Sequence, residues 1–200
     1  MDLDQLRRLD VADQVTFLVG RSARLSVDLE AAVRTLVHVL SDPDRKSALP
    51  PSKAPGNFQA LVTESRRRAN EILAGDDYAF GHMTELLSAA DNAYKLRNRF
   101  VHDLLSTGEG DEVHQQAIWE RGSETRVVEL FQYRTTTVTA LIEACLELIR
   151  STWRVHALTA YIDSPEHRDL WIHDLEGDAS VTWEGTSTWT GPVELGFTRW

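Results

Sequence analysis

Residues 94–105 read Tyr-Lys-Leu-Arg-Asn-Arg-Phe-Val-His-Asp-Leu-Leu, and they contain the most informative position in the chain. On a helical wheel with about 100° per residue, Arg97 lies in the middle of an apolar stripe. The apolar residues within roughly 80° of Arg97 on this wheel are Met83, Leu86, Leu87, Ala90, Ala93, Tyr94, Val101, Leu104 and Leu105. A guanidinium in such a stripe is costly to desolvate unless it is paired or faces a polar cleft. The pattern therefore predicts either a structural ion pair or an arginine that binds an anion.

Two further polar residues lie at the edge of the same face. Asn98 and His102 are one helical turn apart, at roughly 100° and 140° from Arg97 on the wheel. An imidazole can move protons near neutral pH, a guanidinium can bind a phosphate through two donors, and an amide can orient either group. These groups suit phosphodiester cleavage, and no metal is needed if the 2′-hydroxyl of RNA is the nucleophile. Because Arg97 and His102 diverge on the wheel, the pattern also favours a dimer in which a second copy completes the site.

Along the chain as a whole, the spacing of apolar residues predicts four long helices and one hairpin. The predicted helices are Val11–Leu40, a segment from Phe58 to Gly75 capped by Asn57, a segment from about Gly81 to Leu105, and a segment from about Tyr133 to Tyr161. The hairpin is predicted between residues 115 and 131, with its turn at Gly122-Ser123. Residues 42–56 contain four prolines and are predicted to form a loop.

The composition changes after Ser164-Pro165, where no helical period continues and short strands are expected. Residues 163–200 carry eight acidic residues against two arginines, so their net charge is −6. We predict a helical domain over residues 1–162 and an acidic C-terminal extension over residues 163–200. The extension contains four tryptophans, which we interpret as hydrophobic anchors on the helices or on a partner: Trp171, Trp183, Trp189 and Trp200.

Length and charge limit the possible functions. A chain of 200 residues suits one domain with a terminal extension. A net charge of −10 disfavours extensive electrostatic binding to nucleic acid. Any RNA contact is therefore expected to be local. The single cysteine, Cys145, excludes an internal disulfide and a cysteine-rich zinc site. No apolar run approaches the length of a membrane span, so we expect a cytoplasmic protein without membrane contact.

An R-N-x-x-x-H pattern occurs at Arg97-Asn98-Arg99-Phe100-Val101-His102. This pattern resembles the signature that HEPN superfamily proteins carry on the third helix of a four-helix core. The resemblance covers roughly residues 11–162. It implies a mainly α fold, an HEPN-like four-helix bundle, to which we add the small β-hairpin between helices three and four and a short β-rich C-terminal tail. Members of this kind are commonly metal-independent endoribonucleases that act as dimers. Many are toxins controlled by an antitoxin or effectors of anti-phage defence.

Carried onto this chain, the resemblance implies catalytic roles for Arg97, Asn98 and His102. His102 would be the general acid or base, Arg97 would hold the scissile phosphate, and Asn98 would orient them. We expect Lys95 and Arg99 to guide the RNA backbone, and we expect no cofactor and no metal. The position two residues after the histidine is leucine rather than the tyrosine of members modified by a paired nucleotidyltransferase, so control by that route is not expected.

Structural alternatives remain open for each of these residues. Arg97 could pair with a carboxylate of another helix, and the candidates are Asp28, Glu30 and Glu143. His102 could be an exposed histidine favoured by the helix C-terminus, and Lys95 and Arg99 could be solvated surface charges. The basic run Arg66-Arg67-Arg68 could be an exposed helix face or an RNA contact. The corresponding functional alternative is a non-catalytic helical module in a regulatory or defence complex.

Overall fold

The computed structural model describes residues 1–42, 55–123, 126–169, 171–172 and 183. This part of the chain is mainly helical and carries a small antiparallel sheet, as the sequence predicts. Its helices are α1 (Leu3–Arg7), α2 (Val11–Ser41), α3 (Phe58–Ile72), α4 (Asp77–His102) and α5 (Val138–Asp163). Its strands are β1 (Leu104–Thr107), β2 (Glu112–Ser123) and β3 (Arg126–Thr137), in the order β1-β2-β3.

Side-chain caps explain where the helices begin. The Asn57 carboxamide oxygen accepts from the backbone N–H of Ala60 at 2.9 Å, so the predicted cap of the second long helix is confirmed. The Asp76 carboxylate caps α4 in the same way through the backbone N–H of Ala79 at 3.0 Å. This cap starts the helix at Asp77, four residues earlier than the predicted Gly81.

The predicted C-terminal end of the third long helix is wrong. The helix ends at His102, because Asp103 takes an extended backbone conformation and the chain then enters β1. Leu105 pairs with Gln115 of the middle strand, in an antiparallel register that continues to Thr107 and Val113. Pairing with a strand distant in sequence therefore overrides the helical apolar spacing of Leu104 and Leu105.

The predicted hairpin is present, but it is longer than predicted, and the predicted turn residues Gly122 and Ser123 belong to β2 instead. β2 and β3 pair over twelve residues each, from Glu112 opposite Thr137 to Ser123 opposite Arg126. The fourth long helix therefore begins at Val138 rather than at about Tyr133, and the Thr137 hydroxyl accepts from the backbone N–H of Ala140 at 3.1 Å. With β1 added, the predicted hairpin is part of a three-stranded sheet.

Two apolar clusters form the core of the described residues. The larger joins the four long helices, and it includes Leu36, Leu61, Leu87 and Leu158, each 0% exposed. The smaller includes residues of α1, α2, α4, β2 and α5, among them Leu6, Leu18, Phe100, Val113 and Cys145. Phe100 and Val113 belong to the same cluster, so the last turns of α4 pack on the sheet. No helix in the described ranges combines the length and hydrophobicity that a membrane crossing needs.

Cys145 belongs to this core, as its position on the apolar stripe of α5 predicts. It is 0% exposed, and its Sγ lies 3.7 Å from the backbone oxygen of Leu18. Burial raises the pKa of the thiol to about 12. The thiol is therefore protonated at neutral pH and is not available as a nucleophile.

The first residues of the C-terminal extension are helical rather than extended. Pro165–His167 forms a 3₁₀ turn, and residues 168–169 and 171–172 are also helical, so the predicted strands do not occur there. Trp171 and Trp183 are 8% and 4% exposed and pack on the helices of the same chain. The ring of Trp183 stacks under the guanidinium of Arg21 at 4.3 Å. Trp189, Trp200 and the rest of the extension lie outside the described residues.

Candidate active site

Arg97 lies on the penultimate turn of α4 and is half-buried. Its Nη1 donates to the Asn98 Oδ1 at 2.8 Å, and its Nε is buried without a hydrogen-bond partner among the residues that the structure describes. The guanidinium lies 5.7 Å from the ring centroid of Tyr94, which in turn stacks on Phe58 at 4.0 Å. The guanidinium thus lies against the Tyr94 ring and a neutral amide, and one of its donors has no acceptor in the described part of the chain.

The structural alternative for Arg97 was an ion pair with a carboxylate of another helix. Within the part of the chain that the structure describes, no carboxylate oxygen lies within 4.0 Å of its guanidinium. Each of the three candidate carboxylates instead pairs with another arginine: Arg24 with Asp28 at 3.6 Å, Arg34 with Glu30 at 2.9 Å, and Arg150 with Glu143 at 3.8 Å. The positive charge of Arg97 is therefore not neutralised by these partners, and it remains able to bind an anion.

Asn98 and His102 lie where the signature predicts, on the last two turns of α4. Asn98 is half-buried and accepts the Arg97 hydrogen bond, which leaves the two amide donors of its side chain for another oxygen. His102 is the last residue of the helix and is exposed. The helix thus brings Asn98 close to both residues, but a regular helix separates Arg97 and His102 by about 140°. Within one chain, Arg97 and His102 do not face the same point.

The residue after His102 has a partner that the sequence did not predict. The Asp103 Oδ2 accepts from the Gln115 Nε2 at 2.6 Å, and Gln115 is only 4% exposed. The Asp103 backbone N–H also donates to the Arg99 carbonyl oxygen at 3.0 Å. The only signal in the sequence was the alternation Val113, Gln115, which places a polar residue on an inner strand face.

Lys95 has a structural partner, whereas Arg99 does not have one among the described residues. The Lys95 Nζ donates to the Asp91 Oδ2 at 2.7 Å, and Asp91 is only 8% exposed. Lys95 therefore neutralises the buried carboxylate of Asp91. Arg99 is exposed on the same helix. The RNA contacts expected for both residues stay predictions.

Replacement of Lys95 by methionine is expected to lower the free energy of unfolding by about 1 kcal/mol, because Asp91 would lose its counter-charge. The RNA affinity is expected to change less than about threefold, because the Lys95 ammonium is paired with Asp91 rather than free to bind a phosphate. Urea unfolding and a filter-binding assay measure the two quantities. Adding Asp91→Asn should recover part of the lost stability. Weakened RNA binding at unchanged stability would instead make Lys95 an RNA contact.

The basic run on α3 is largely neutralised within its own helix. Arg67 donates to Glu64 at 2.8 Å and to Glu71 at 2.6 Å, and Arg68 donates to Glu64 at 2.6 Å. Arg66 donates to the Ser88 hydroxyl at 3.1 Å. These contacts favour the interpretation of the run as a helix face with internal ion pairs.

The same contacts predict a pH dependence of stability. Hydrogen bonds from Arg67 and Arg68 lower the pKa of Glu64 to about 2, from an ordinary value of 4.5. Because the folded-state pKa is the lower one, the stabilisation is fully present above about pH 4.5 and is lost as the pH falls toward 2. Glu64→Gln should therefore cost about 1 kcal/mol of unfolding free energy at pH 7 and less at pH 3. Urea titrations of both proteins at several pH values test this, and a pH-independent difference would contradict it.

A separate cavity of about 420 Å³ lies between α2, α5 and Trp171. Its walls are mostly apolar and contain none of the predicted site residues; the lining is Thr35, Val39, Trp153, His156, Ala157, Thr159, Ala160, Asp163 and Trp171. The cavity could not be predicted from the sequence, because it depends on how Trp171 of the extension packs against two helices.

Comparison with protein-family models, with curated proteins and with solved structures finds no match to this chain. Within the described residues, no group of three or more His, Cys, Asp or Glu side chains is placed to hold a metal ion. The residues at the end of α4 are therefore the candidate active site.

Proposed function

We propose that this protein is a metal-independent endoribonuclease of the HEPN type, with Arg97, Asn98 and His102 as its active-site residues. The proposal is based on the contacts and the burial of the Arg97 guanidinium. Its guanidinium is half-buried, bonded to a neutral amide, without a carboxylate among the described residues, and one donor is unpartnered. An arginine in this state is suited to binding a phosphate, which accepts two of its hydrogen bonds at once.

The chemistry assigned to the site is transesterification of RNA. The 2′-hydroxyl oxygen attacks the adjacent phosphorus, the bond from phosphorus to the 5′-oxygen breaks, and the products are a 2′,3′-cyclic phosphate and a 5′-hydroxyl. An imidazole takes the proton from the 2′-hydroxyl, and an imidazolium gives a proton to the leaving 5′-oxygen. Arg97 holds the non-bridging oxygens, where negative charge develops. Because the ribose supplies the nucleophile, the reaction needs no metal-bound water.

The separation of Arg97 and His102 on the helix favours a shared site between two copies. In a symmetric dimer the Arg97 of one copy can face the His102 of the other, and two imidazoles are then available as acid and base. The expected biological setting is a toxin or an anti-phage effector, with an antitoxin or a defence complex as a further partner.

The proposal is tested with purified protein, mixed single-stranded RNA and DNA of the same sequences, all in excess chelator. Cleavage of the RNA but not of the DNA is expected, because DNA lacks the 2′-hydroxyl. Equal cleavage of both polymers, or no cleavage of RNA at any enzyme concentration, would contradict the proposal.

The alternative function is a non-catalytic helical module in a regulatory or defence complex. The observation that favours it is the divergence of Arg97 and His102 within one chain. In that case Arg97→Ala would act on folding or on partner binding alone, and no RNA would be cleaved by the unmodified protein.

A further inference from the structure

Gln115 occupies a core position on the middle strand. Side chains alternate along β2, and the inner face that holds Gln115 also holds Val113, which is 0% exposed. Gln115 itself is 4% exposed. A buried amide is unfavourable unless it is hydrogen-bonded, and an apolar residue would fill the same space without that requirement. A glutamine at this position is therefore expected to make a specific hydrogen bond.

Gln115 makes such a hydrogen bond to the carboxylate of Asp103. Its Nε2 donates to the Asp103 Oδ2 at 2.6 Å, which is a short bond to a carboxylate. The backbone N–H of Asp103 donates to the carbonyl oxygen of Arg99 in the last turn of α4. Asp103 is thus fixed from two sides, by the helix end through its backbone and by the sheet through its side chain.

His102 immediately precedes Asp103, the residue that makes both of these bonds. It is exposed, so packing does not restrict its side chain strongly, and its backbone is the last in the helix. Helix ends fray unless they are held, and fraying of this end would move His102 first. The bond between Asp103 and Gln115 is a side-chain contact that joins this end to the middle strand, beside the backbone pairing of Leu104 with Gln116.

We infer that Gln115 is a positioning residue, which acts through Asp103 to hold the backbone of His102 in the position that catalysis requires. This inference rests on the proposed ribonuclease function. It assigns the three-stranded sheet a role beyond completing the core, because the sheet supplies the rigid support for the histidine. Gln115 touches neither the substrate nor the reacting atoms.

The test compares Gln115→Leu with the matched control Gln116→Leu. Gln116 is the next residue of the same strand, points to the opposite face and forms no side-chain hydrogen bond among those described. For Gln115→Leu we expect kcat to fall about 10-fold to 100-fold with KM changed less than twofold, because a misplacement near 1 Å is enough for such a loss. Gln116→Leu should leave both constants unchanged.

A second readout does not depend on catalysis. The imidazole signals of His102 in a heteronuclear NMR spectrum, assigned by their loss in His102→Ala, should shift in Gln115→Leu and stay in place in Gln116→Leu. Asp103→Ala should reproduce the shift and the loss of kcat, and it removes no core side chain if Gln115→Leu fails to fold. Asp103→Asn keeps an acceptor oxygen and should retain most of the activity.

The outcomes separate this inference from the proposed function. If the unmodified protein cleaves no RNA, the proposed function fails, and the NMR shifts still decide whether Gln115 orients His102. If Gln115→Leu and Asp103→Ala leave both kcat and the His102 signals as in the control, the positioning role is overturned.

Discussion

Replacement of His102 by alanine is expected to lower the rate of RNA cleavage by about 10²-fold to 10⁴-fold. This is the range that a positioned general acid or base contributes. The free energy of unfolding should change by less than about 0.5 kcal/mol, because His102 is exposed and makes no hydrogen bond among those described. Single-turnover cleavage in excess chelator and urea unfolding measure the two effects.

The matched control for this substitution is His82→Ala. His82 lies on the same helix, about five turns earlier, and its ring contacts Tyr78 at 4.4 Å between centroids. This variant should cleave RNA at the rate of the unmodified protein. If His102→Ala cleaves as fast as His82→Ala, His102 is not the catalytic acid or base.

Replacement of Arg97 by alanine is expected to lower cleavage by about 10²-fold to 10³-fold while folding is largely kept. The loss in rate follows from removing a group that stabilises the charge developing on the phosphate. The free energy of unfolding should fall by about 1 kcal/mol, since no described carboxylate would lose a counter-charge. Arg97→Lys keeps the charge but not the two-donor geometry, so it should recover only part of the rate.

The stability measurement separates two roles of Arg97, binding of a phosphate and pairing with a buried carboxylate. If Arg97 were the partner of a buried carboxylate, Arg97→Ala would cost about 3–5 kcal/mol, as the removal of one member of a buried pair does. Arg24→Ala is the control for the loss of one positive charge, because Arg24 is exposed on α2. Unchanged cleavage by Arg97→Ala, at whatever stability, would contradict the role of Arg97 in catalysis.

The helices could be predicted from the sequence where local signals agree. α2 follows a regular apolar spacing and ends near Ser41, and α3 begins at the cap that Asn57 provides. The end of α4 could not be predicted in this way. Leu104 and Leu105 continue the helical spacing, but their partners in β2 lie about ten residues further along the chain and decide their conformation.

The candidate site shows the same division between local and distant contacts. The position of Arg97 on the apolar stripe, and its closeness to Asn98, depend on helix geometry alone. The pair of Asp91 and Lys95 is also local, and its spacing of four residues is the usual one for a helical ion pair. The bond between Gln115 and Asp103 depends on the register of the sheet, which the sequence pattern did not define.

If this chain cleaves RNA through the ribose 2′-hydroxyl, the chemistry of the product ends must show it. Purified protein is incubated with RNA in excess chelator, and the fragments are examined by mass spectrometry. We predict fragments that end in 2′,3′-cyclic phosphate and begin with a 5′-hydroxyl, and we predict that His102→Ala forms them about 10²-fold to 10⁴-fold more slowly. Fragments with 3′-hydroxyl and 5′-phosphate ends, formed only when a divalent metal is added, would contradict the account.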